Sequence, residues 1–215
     1  MKEKERGEDM EKREQRLLVT AEGCRAAVAL QARENTGYGQ GREAAGRGRK
    51  QAEAGGWQEI VRTSGWIGRN GLGKQREGDG RTPVEGFFLY GFGLKENPGT
   101  AFPYIQVDES YYLVDDPDSR YYNQLVSTRE VSQDWSSAEH IAEMGAAYSY
   151  VLVTDYNKAG MPGLGSGIFL HCEEGKPTAG CIAVPEPAMK EIMKKMQTDC
   201  RLVCDKCFLH KNTKT

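Results

Sequence analysis

The stretch at residues 168–184 reads IFLHCEEGKPTAGCIAV, and the fold predicted for the chain is arranged around it. An apolar strand ends at His171, a polar turn with Gly and Pro follows, and a small-small-Gly-Cys step leads through Cys181 into a second apolar strand. We expect a tight turn to bring the imidazole and the thiol to facing ends of the two strands. A nearby imidazole can take the proton of a thiol, so this spacing predicts a cysteine nucleophile site.

The same residues also fit a simpler interpretation. A histidine and a cysteine that end apolar strands are more often packed core residues than a catalytic pair. The turn before the cysteine favours catalysis, because Gly180 has no side chain to block an incoming acyl group. The backbone N–H groups of Gly180 and Cys181 are expected to face a developing oxyanion.

Composition places the chain among folded domains with a core. It has 215 residues, a formal net charge of −2 and 38% hydrophobic residues, which suits one or at most two domains. Its 26 glycines, ten tyrosines and short apolar runs predict a mainly β fold with a few short helices. No basic stripe indicates a nucleic-acid partner, and no apolar run is long enough to span a membrane.

The first residues are a charged arm without the apolar core of a secretory signal. From this we expect either a cytoplasmic protein or an export route that the sequence does not show. The predicted organisation is a disordered arm at 1–14, a catalytic domain at 15–198 with a flexible insertion loop at 36–56, and a Cys-rich tail at 199–215. Strands are predicted at 17–21, 26–32, 57–63, 84–92, 104–107, 111–114, 148–155, 168–170 and 181–184, and helices at 136–144 and 185–196.

The glycine-rich segment at 68–75 has nearly the spacing of a phosphate-binding loop. Gln75 stands where such a loop needs Ser or Thr, and a loop rich in helix breakers follows it instead of a helix. Without a helix N-terminus the segment lacks an anion cradle. We therefore interpret it as a glycine-rich turn between strands rather than a nucleotide site.

The tail carries four soft ligands that zinc could use, Cys200, Cys204, Cys207 and His210. The first spacing is wide for a zinc knuckle and no second ligand pair stands elsewhere, so free thiols are the simpler expectation. We expect no metal or cofactor at the His171/Cys181 site. The oligomeric state is not indicated by any feature of the sequence.

From Gln15 to about Gln197 the chain resembles the catalytic domain of the L,D-transpeptidase (YkuD-like) family. The strongest match is the strand that ends at His171 together with Thr178-Ala179-Gly180-Cys181-Ile182-Ala183-Val184. Other matching segments occur in the family's order, at 68–71, 77–86, 135–140 and 155–157.

The resemblance implies a β-sandwich or barrel that acts on peptidoglycan stem peptides as donor and acceptor. Cys181 would be the nucleophile and His171 its base, the Cys172 carbonyl would orient the ring, and the amides of Gly180 and Cys181 would form the oxyanion hole. The enzyme would release D-alanine, form a thioester and transfer the acyl group to an amine. It also implies a place in the cell envelope or outside the cell.

The chain departs from the better-known members at the nucleophile, where they have Ser-His-Gly-Cys and this chain has Thr178-Ala179-Gly180-Cys181. We expect a divergent branch of the family with a shorter His-to-Cys spacing. Tyr122 and Asn123, with Tyr121, are candidates to line the substrate groove. His140 lies in a matching segment and is a further substrate-binding candidate, although a packed or capping histidine is the simpler interpretation.

Two other functions remain open at this point. Water in place of the amine would make the protein an L,D-carboxypeptidase, and both reactions share the acyl-enzyme. The absence of the second histidine at Ala179 and the cysteines of the tail also suit a non-catalytic wall-binding or metal-stabilised module.

Overall fold

A computed structural model of the chain describes residues 13–34 and 56–206. The predicted arm up to residue 12, nearly all of the predicted insertion loop at 36–56, and Cys207 and His210 of the tail lie outside these residues. Glu14, the last residue of the predicted arm, already belongs to the first strand.

The regular elements follow in this order: β1 (Glu14–Glu22), β2 (Arg25–Arg33), β3 (Gln58–Trp66), β4 (Glu85–Gly93), β5 (Tyr104–Gln106), β6 (Tyr111–Val114), β7 (Leu125–Ser127), β8 (Ala138–His140), two 3-10 turns (Ile141–Glu143 and Gly145–Tyr148), β9 (Val151–Thr154), β10 (Phe169–Cys172), β11 (Ile182–Val184), α1 (Glu186–Lys195) and β12 (Arg201–Lys206). The prediction of a mainly β fold with few helical segments is confirmed.

Within the described residues the main sheet has nine strands in the order β12-β1-β2-β3-β11-β10-β9-β4-β5. An additional pairing between β12 and β4 closes the sheet on itself, so that it forms a barrel-like sheet with β5 attached to β4. Closure leaves few unpaired strand edges, which is how many all-β domains avoid edge-to-edge association.

The interior of this sheet is the main core, and the alternation of β1 shows how the sequence builds it. Leu17, Val19 and Ala21 point inward and are buried, while their neighbours are half-exposed, as a strand period of two requires. Helix α1 covers the same interior, because Met189, Ile192 and Met193 on one of its faces are fully buried in this cluster.

A second core lies on the other side of β9, β10 and β4, beneath a small sheet of β7, β6 and β8. Its centre is aromatic. The Phe92 ring meets the Phe169 ring edge-on at 5.5 Å and the Tyr148 ring at 6.0 Å between centroids. This aromatic cluster supports one wall of the candidate site, since Phe169 and Tyr148 lie directly beside His171 and Cys181.

The predicted helix at 136–144 is wrong. Residues 138–140 form β8, which pairs with β6 through Tyr112 and His140, and only 3-10 turns follow. The hydroxyl residues and acid at 136–139 resemble a helix start, but strand pairing satisfies the backbone of this segment instead. Tertiary pairing of this kind commonly overrides a local propensity.

The expected tight turn between the strands of His171 and Cys181 is also corrected. Strands β10 and β11 are parallel, with His171 opposite Ala183, so residues 173–181 return the chain to the end of the sheet where β10 began. The two strands are nevertheless neighbours, which keeps the two side chains close.

The tail predicted from residue 199 is part of the sheet over its first residues. Strand β12 runs parallel to β1 and antiparallel to β4, and both Cys200 and Cys204 are buried in the main core. Alternating apolar side chains at Leu202 and Cys204 explain this, because they fill the inner face next to β1. No helix among the described residues is long and apolar enough to cross a membrane.

Candidate active site

His171 and Cys181 lie on the same face of two adjacent parallel strands. The register sets His171 opposite Ala183, and Cys181 stands two residues before Ala183, immediately ahead of β11. Side chains two residues apart on a strand share a face, so the imidazole, the thiol and the Ala183 methyl group all line one cavity. The structure therefore brings together the two residues that the sequence predicted as catalytic.

In this arrangement the thiol is hydrogen-bonded to backbone at the start of β10 and just before it. Cys181 Sγ donates to the Gly167 carbonyl at 3.1 Å and accepts from the Phe169 N–H at 3.3 Å. Burial raises the pKa of the Cys181 thiol to about 12, against a smaller lowering by the Phe169 N–H and by Lys74. The thiol is therefore protonated at neutral pH.

The His171 ring is oriented by the backbone of its own strand. Nδ1 lies 2.8 Å from the Cys172 carbonyl oxygen, which can only accept, so in the neutral ring Nδ1 carries the proton and Nε2 is the unprotonated nitrogen. Burial lowers the pKa of His171, while the carbonyls of Cys172 and Ala147 and the charge of Glu174 oppose that shift. The ring is neutral at neutral pH, and Cys172 occupies the orienting position that the resemblance implies.

The cavity has a volume of about 590 Å³ and reaches from the loop after β3 to the small sheet. Its lining includes both catalytic candidates, the turn residues Thr178, Ala179 and Gly180, and charged side chains of both signs. A space of this size falls in the range that holds a peptide-sized or drug-sized ligand.

Two threonine hydroxyls fix the turn that presents Cys181. Thr178 Oγ1 donates to the Cys181 carbonyl at 2.6 Å and accepts from the Gly180 N–H at 3.1 Å. Thr82 Oγ1 donates to the Gly180 carbonyl at 2.8 Å and accepts from the Gly68 N–H at 2.9 Å. The Gly180 N–H is thus already bonded to Thr178, so it can serve an oxyanion only if that bond is exchanged.

The absence of a side chain at Gly180 has a direct steric reason. A Cβ there would lie 3.0 Å from the Arg81 carbonyl oxygen and 3.0 Å from Ile168 Cδ1, tighter than most real contacts. The backbone of the 68–82 segment therefore packs against the nucleophile turn. This segment, which looked like a phosphate loop, is a support for the site, as the bridges between Gly68 and Thr178 and between Leu72 and Thr82 show.

The same segment places the buried ammonium group of Lys74 in the cavity wall. The Lys74 side chain is 2% exposed, and its Nζ lies 3.3 Å from Asp79 Oδ1 and 3.3 Å from the Arg76 carbonyl oxygen. Burial works against ionisation of Asp79, but hydrogen bonds from the N–H groups of Gln75, Arg76 and Arg81, with Lys74 nearby, lower the pKa of Asp79 to about 2.

Carboxylates from the small sheet line another part of the cavity. Glu139 on β8 accepts a hydrogen bond of 2.6 Å from the Tyr148 hydroxyl, and the Tyr148 ring meets the His171 ring edge-on at 5.7 Å. Burial raises the pKa of Glu139, and the charge of Asp115 adds to that rise. Asp115 Oδ1 is buried without a hydrogen-bond partner in the part of the chain that the structure describes.

The three predicted substrate-binding residues do not line this cavity. Tyr122 is 4% exposed and its hydroxyl donates to Glu77 at 3.3 Å, so it is a packed residue beside the cavity wall. His140 stacks on Tyr112 at 4.5 Å, and its Nε2 lies 2.8 Å from the Glu109 carbonyl. That carbonyl and Glu143 raise the pKa of His140, and the residue is a packed histidine.

Asn123 has a structural position that bears on the site indirectly. Its Oδ1 accepts from the Gly167 N–H at 2.9 Å, its Nδ2 donates to the Asn157 carbonyl at 2.9 Å, and its φ of 60° is in the left-handed region. Gly167 is the residue whose carbonyl accepts the Cys181 thiol proton, so Asn123 positions that acceptor. Asn123 itself lines a second, mostly apolar cavity of about 460 Å³, which shares Leu113 and Ile168 with the first.

The residues that sequence reasoning missed are Lys74, Thr82, Glu139 and Tyr148. Thr82 and Glu139 lie within the segments 77–86 and 135–140 that the sequence analysis singled out. Their polarity beside helix-breaking or aromatic residues was the available signal. Lys74 stood inside the apparent phosphate loop, and Tyr148 was assigned to a strand.

Among residues 13–34 and 56–206, no three His, Cys, Asp or Glu side chains are grouped as a metal site requires. Burial raises the pKa of both Cys200 and Cys204 to about 12, which disfavours the thiolates that zinc binds. The tail site proposed from four ligands also needs Cys207 and His210, which lie outside the described residues.

No protein-family model matches the sequence, and no curated protein matches it at a significant level.

Proposed function

We propose that the protein is a cysteine acyltransferase of the L,D-transpeptidase type, acting on peptidoglycan stem peptides. The observation that carries the proposal is that Cys181 and an Nδ1-protonated His171 lie on one face of neighbouring strands in the wall of a 590 Å³ cavity. The resemblance of the segments around these residues to that family supplies the substrate class.

The raised pKa of Cys181 and the lowered pKa of His171 indicate that the resting pair is neutral. Activation therefore takes place during the reaction. The thiol turns from the Gly167 carbonyl, gives its proton to His171 Nε2, and the sulfur forms a bond to the carbonyl carbon of the donor. The Cys172 carbonyl, bonded to Nδ1–H, stabilises the imidazolium that forms.

Collapse of the tetrahedral intermediate breaks the C–N bond to D-alanine. His171 returns its proton to the leaving nitrogen, which yields free D-alanine and a thioester on Cys181. An acceptor amine then loses a proton to His171 as it attacks the thioester carbonyl, and the thiol is restored. Atoms and charge balance over the two steps without a cofactor.

The carboxylate-lined part of the cavity favours an amine as the acceptor over water. Glu139 and Asp115 Oδ1, which has no hydrogen-bond partner among the described residues, offer acceptors for an ammonium or amine. A buried acceptor without a donor costs about 1–3 kcal/mol. Water would also fit such a site, which is the L,D-carboxypeptidase reaction, so the products decide between the two.

The test incubates the protein with a tetrapeptide stem and an acceptor stem and measures free D-alanine and the peptide products by mass spectrometry. We expect D-alanine release together with cross-linked dimers, and no release from the Cys181→Ala variant. Cys172→Ala is the matched control, because its thiol is buried outside the cavity lining. Full D-alanine release by Cys181→Ala would exclude the proposal, and tripeptide as the sole product would indicate the hydrolase.

A further inference from the structure

The Lys74 ammonium is a buried charge beside the reacting pair, where its effect on the chemistry is to lower the pKa of the Cys181 thiol. It lies in the wall of the catalytic cavity, and the turn that presents the nucleophile lies against it. A methyl group added at Gly180 would come within 3.7 Å of Nζ, and one added at Gly165 within 3.0 Å. The cation is therefore next to the residue that precedes Cys181.

The ionised form of the Asp79 carboxyl group is not stabilised mainly by this cation. Three backbone N–H groups donate to the Asp79 carboxylate, from Gln75 at 2.8 Å, Arg76 at 3.1 Å and Arg81 at 3.0 Å. A carboxylate that accepts two or three backbone hydrogen bonds is stabilised in its charged form without a further partner. Asp79 thus shapes its own loop and also fixes the position of the Lys74 side chain.

The Lys74 ammonium also has hydrogen-bonding capacity that these contacts do not use. Its two acceptors in the described part of the chain, Asp79 Oδ1 and the Arg76 carbonyl, both lie at 3.3 Å. Charge-assisted hydrogen bonds between an ammonium and a carboxylate are normally about 2.7–2.9 Å long, and an ammonium has three protons to donate. Two of the ammonium protons make long hydrogen bonds and the third is available. The Lys74 ammonium is therefore able to bind an anion.

We propose that Lys74 binds the terminal carboxylate of the donor peptide and so restricts the enzyme to donors whose leaving residue has a free carboxyl group. The inference rests on the proposed function and names the residue that sets its donor specificity. The leaving amino acid lies next to the scissile carbonyl, and the scissile carbonyl must reach Cys181, so its carboxylate falls near the Gly180 turn where Lys74 stands. In a buried setting a charge-assisted bond of this kind discriminates strongly against a neutral group.

The test compares two donors that differ only at the terminus, a tetrapeptide ending in D-alanine and the same peptide ending in D-alaninamide. For the unmodified protein we expect kcat/KM for release of the terminal residue to be about 10- to 100-fold higher with the free acid. In Lys74→Met this preference falls to within about threefold of unity. Both donors lose the same rate because Lys74 no longer lowers the Cys181 pKa, and only the acid also loses the ion pair with its carboxylate.

Lys176→Met is the matched control. Lys176 also lines the cavity, but its side chain is 71% exposed and pairs with Glu174, so its loss leaves the preference for the acid intact. Lys74→Gln provides a second variant that keeps a donor for Asp79 without the charge, in case Lys74→Met folds poorly, and it loses the preference equally. Lys74→Arg keeps the charge and retains a preference.

An equal loss of rate with both donors in the Lys74 variants would limit Lys74 to its effects on the fold and on the Cys181 pKa, and would overturn the inference. Equal rates of acid and amide in the unmodified protein would also overturn it, whether or not any variant folds. Acylation of Cys181 by p-nitrophenyl acetate, an uncharged probe, separates this failure from failure of the proposed function. If neither peptide donor acylates Cys181 while the probe does, the donor class itself is wrong.

Discussion

The Thr82 hydroxyl donates a hydrogen bond of 2.8 Å to the Gly180 carbonyl, although the two residues are 98 positions apart in the sequence. The Gly68 N–H donates to the same hydroxyl at 2.9 Å, and Thr82 is 0% exposed. One buried side chain therefore joins the glycine-rich segment to the turn that presents Cys181.

Replacement of Thr82 by valine should destabilise the protein by about 2 kcal/mol, because the Gly68 N–H and the Gly180 carbonyl both lose their buried partner. The free energy of unfolding in urea measures this loss. Thr82→Ser, which keeps the hydroxyl, should lose much less. Equal stability of the valine variant and the unmodified protein would show that the bridge contributes nothing.

Gly180→Ala should cost about 1–3 kcal/mol and slow acylation of Cys181, since the added methyl group meets the Arg81 carbonyl and Ile168 at 3.0 Å. The Arg81 backbone can make room for this methyl group only if the turn that presents Cys181 also shifts. Gly56→Ala is the control, because a methyl group there meets nothing within 4 Å in the described part of the chain. Urea unfolding and the rate of labelling by an acylating probe are the measurements. Unchanged values for Gly180→Ala would refute the steric argument.

The pH dependence of acylation should reflect His171. Only the neutral ring accepts the thiol proton, and burial lowers the pKa of His171 below 6.5, so kcat/KM should hold at pH 6.5 and fall only at more acid pH. The unfolded chain takes up this proton first as the pH falls, so the His171 contribution to stability is also lost below about 6.5. His171→Asn should lower the acylation rate about 10²- to 10⁴-fold. A pH profile whose acid limb lies above 6.5 would contradict the assignment.

Glu139→Gln should stabilise the protein increasingly as the pH rises above about 4.5. Burial raises the pKa of Glu139, so the folded state holds its proton where the unfolded state has released it, and stability falls with rising pH through that window. Glutamine does not titrate and still accepts from the Tyr148 hydroxyl. Urea unfolding at several pH values for both proteins gives the comparison. A constant difference between them across pH 4–8 would contradict the assigned pKa shift.

The sequence predicted most of the strands because their apolar alternation is strong. Strands β1 and β2, β4, β6 and helix α1 lie within a few residues of their predicted bounds. It also predicted the His171/Cys181 pair, since both residues adjoin apolar strands in one short stretch. These features depend on local pattern, which a single sequence displays.

Features that depend on pairing distant parts of the chain were not predictable. The strand at 138–140 and the place of β12 beside β1 are each set by a partner elsewhere in the chain. The parallel register of β10 and β11 depends on the path of the loop between them, which local pattern does not show. The bond between Thr82 and Gly180 and the entry of Lys74 into the cavity depend on the same long-range contacts. The positions of the predicted substrate residues Tyr122, Asn123 and His140, which do not line the cavity of Cys181, depend on such contacts as well.

The central claim is that Cys181 forms a thioester with the donor peptide, and intact-protein mass spectrometry after rapid acid quenching tests it most directly. The unmodified protein and Cys172→Ala, mixed with a tetrapeptide stem, should each gain the mass of one tripeptide acyl group. Peptide mapping should place that mass on Cys181, hydroxylamine should remove it, and Cys181→Ala should gain nothing. The same adduct on Cys181→Ala, or no adduct on the unmodified protein while donor is being consumed, would contradict the claim.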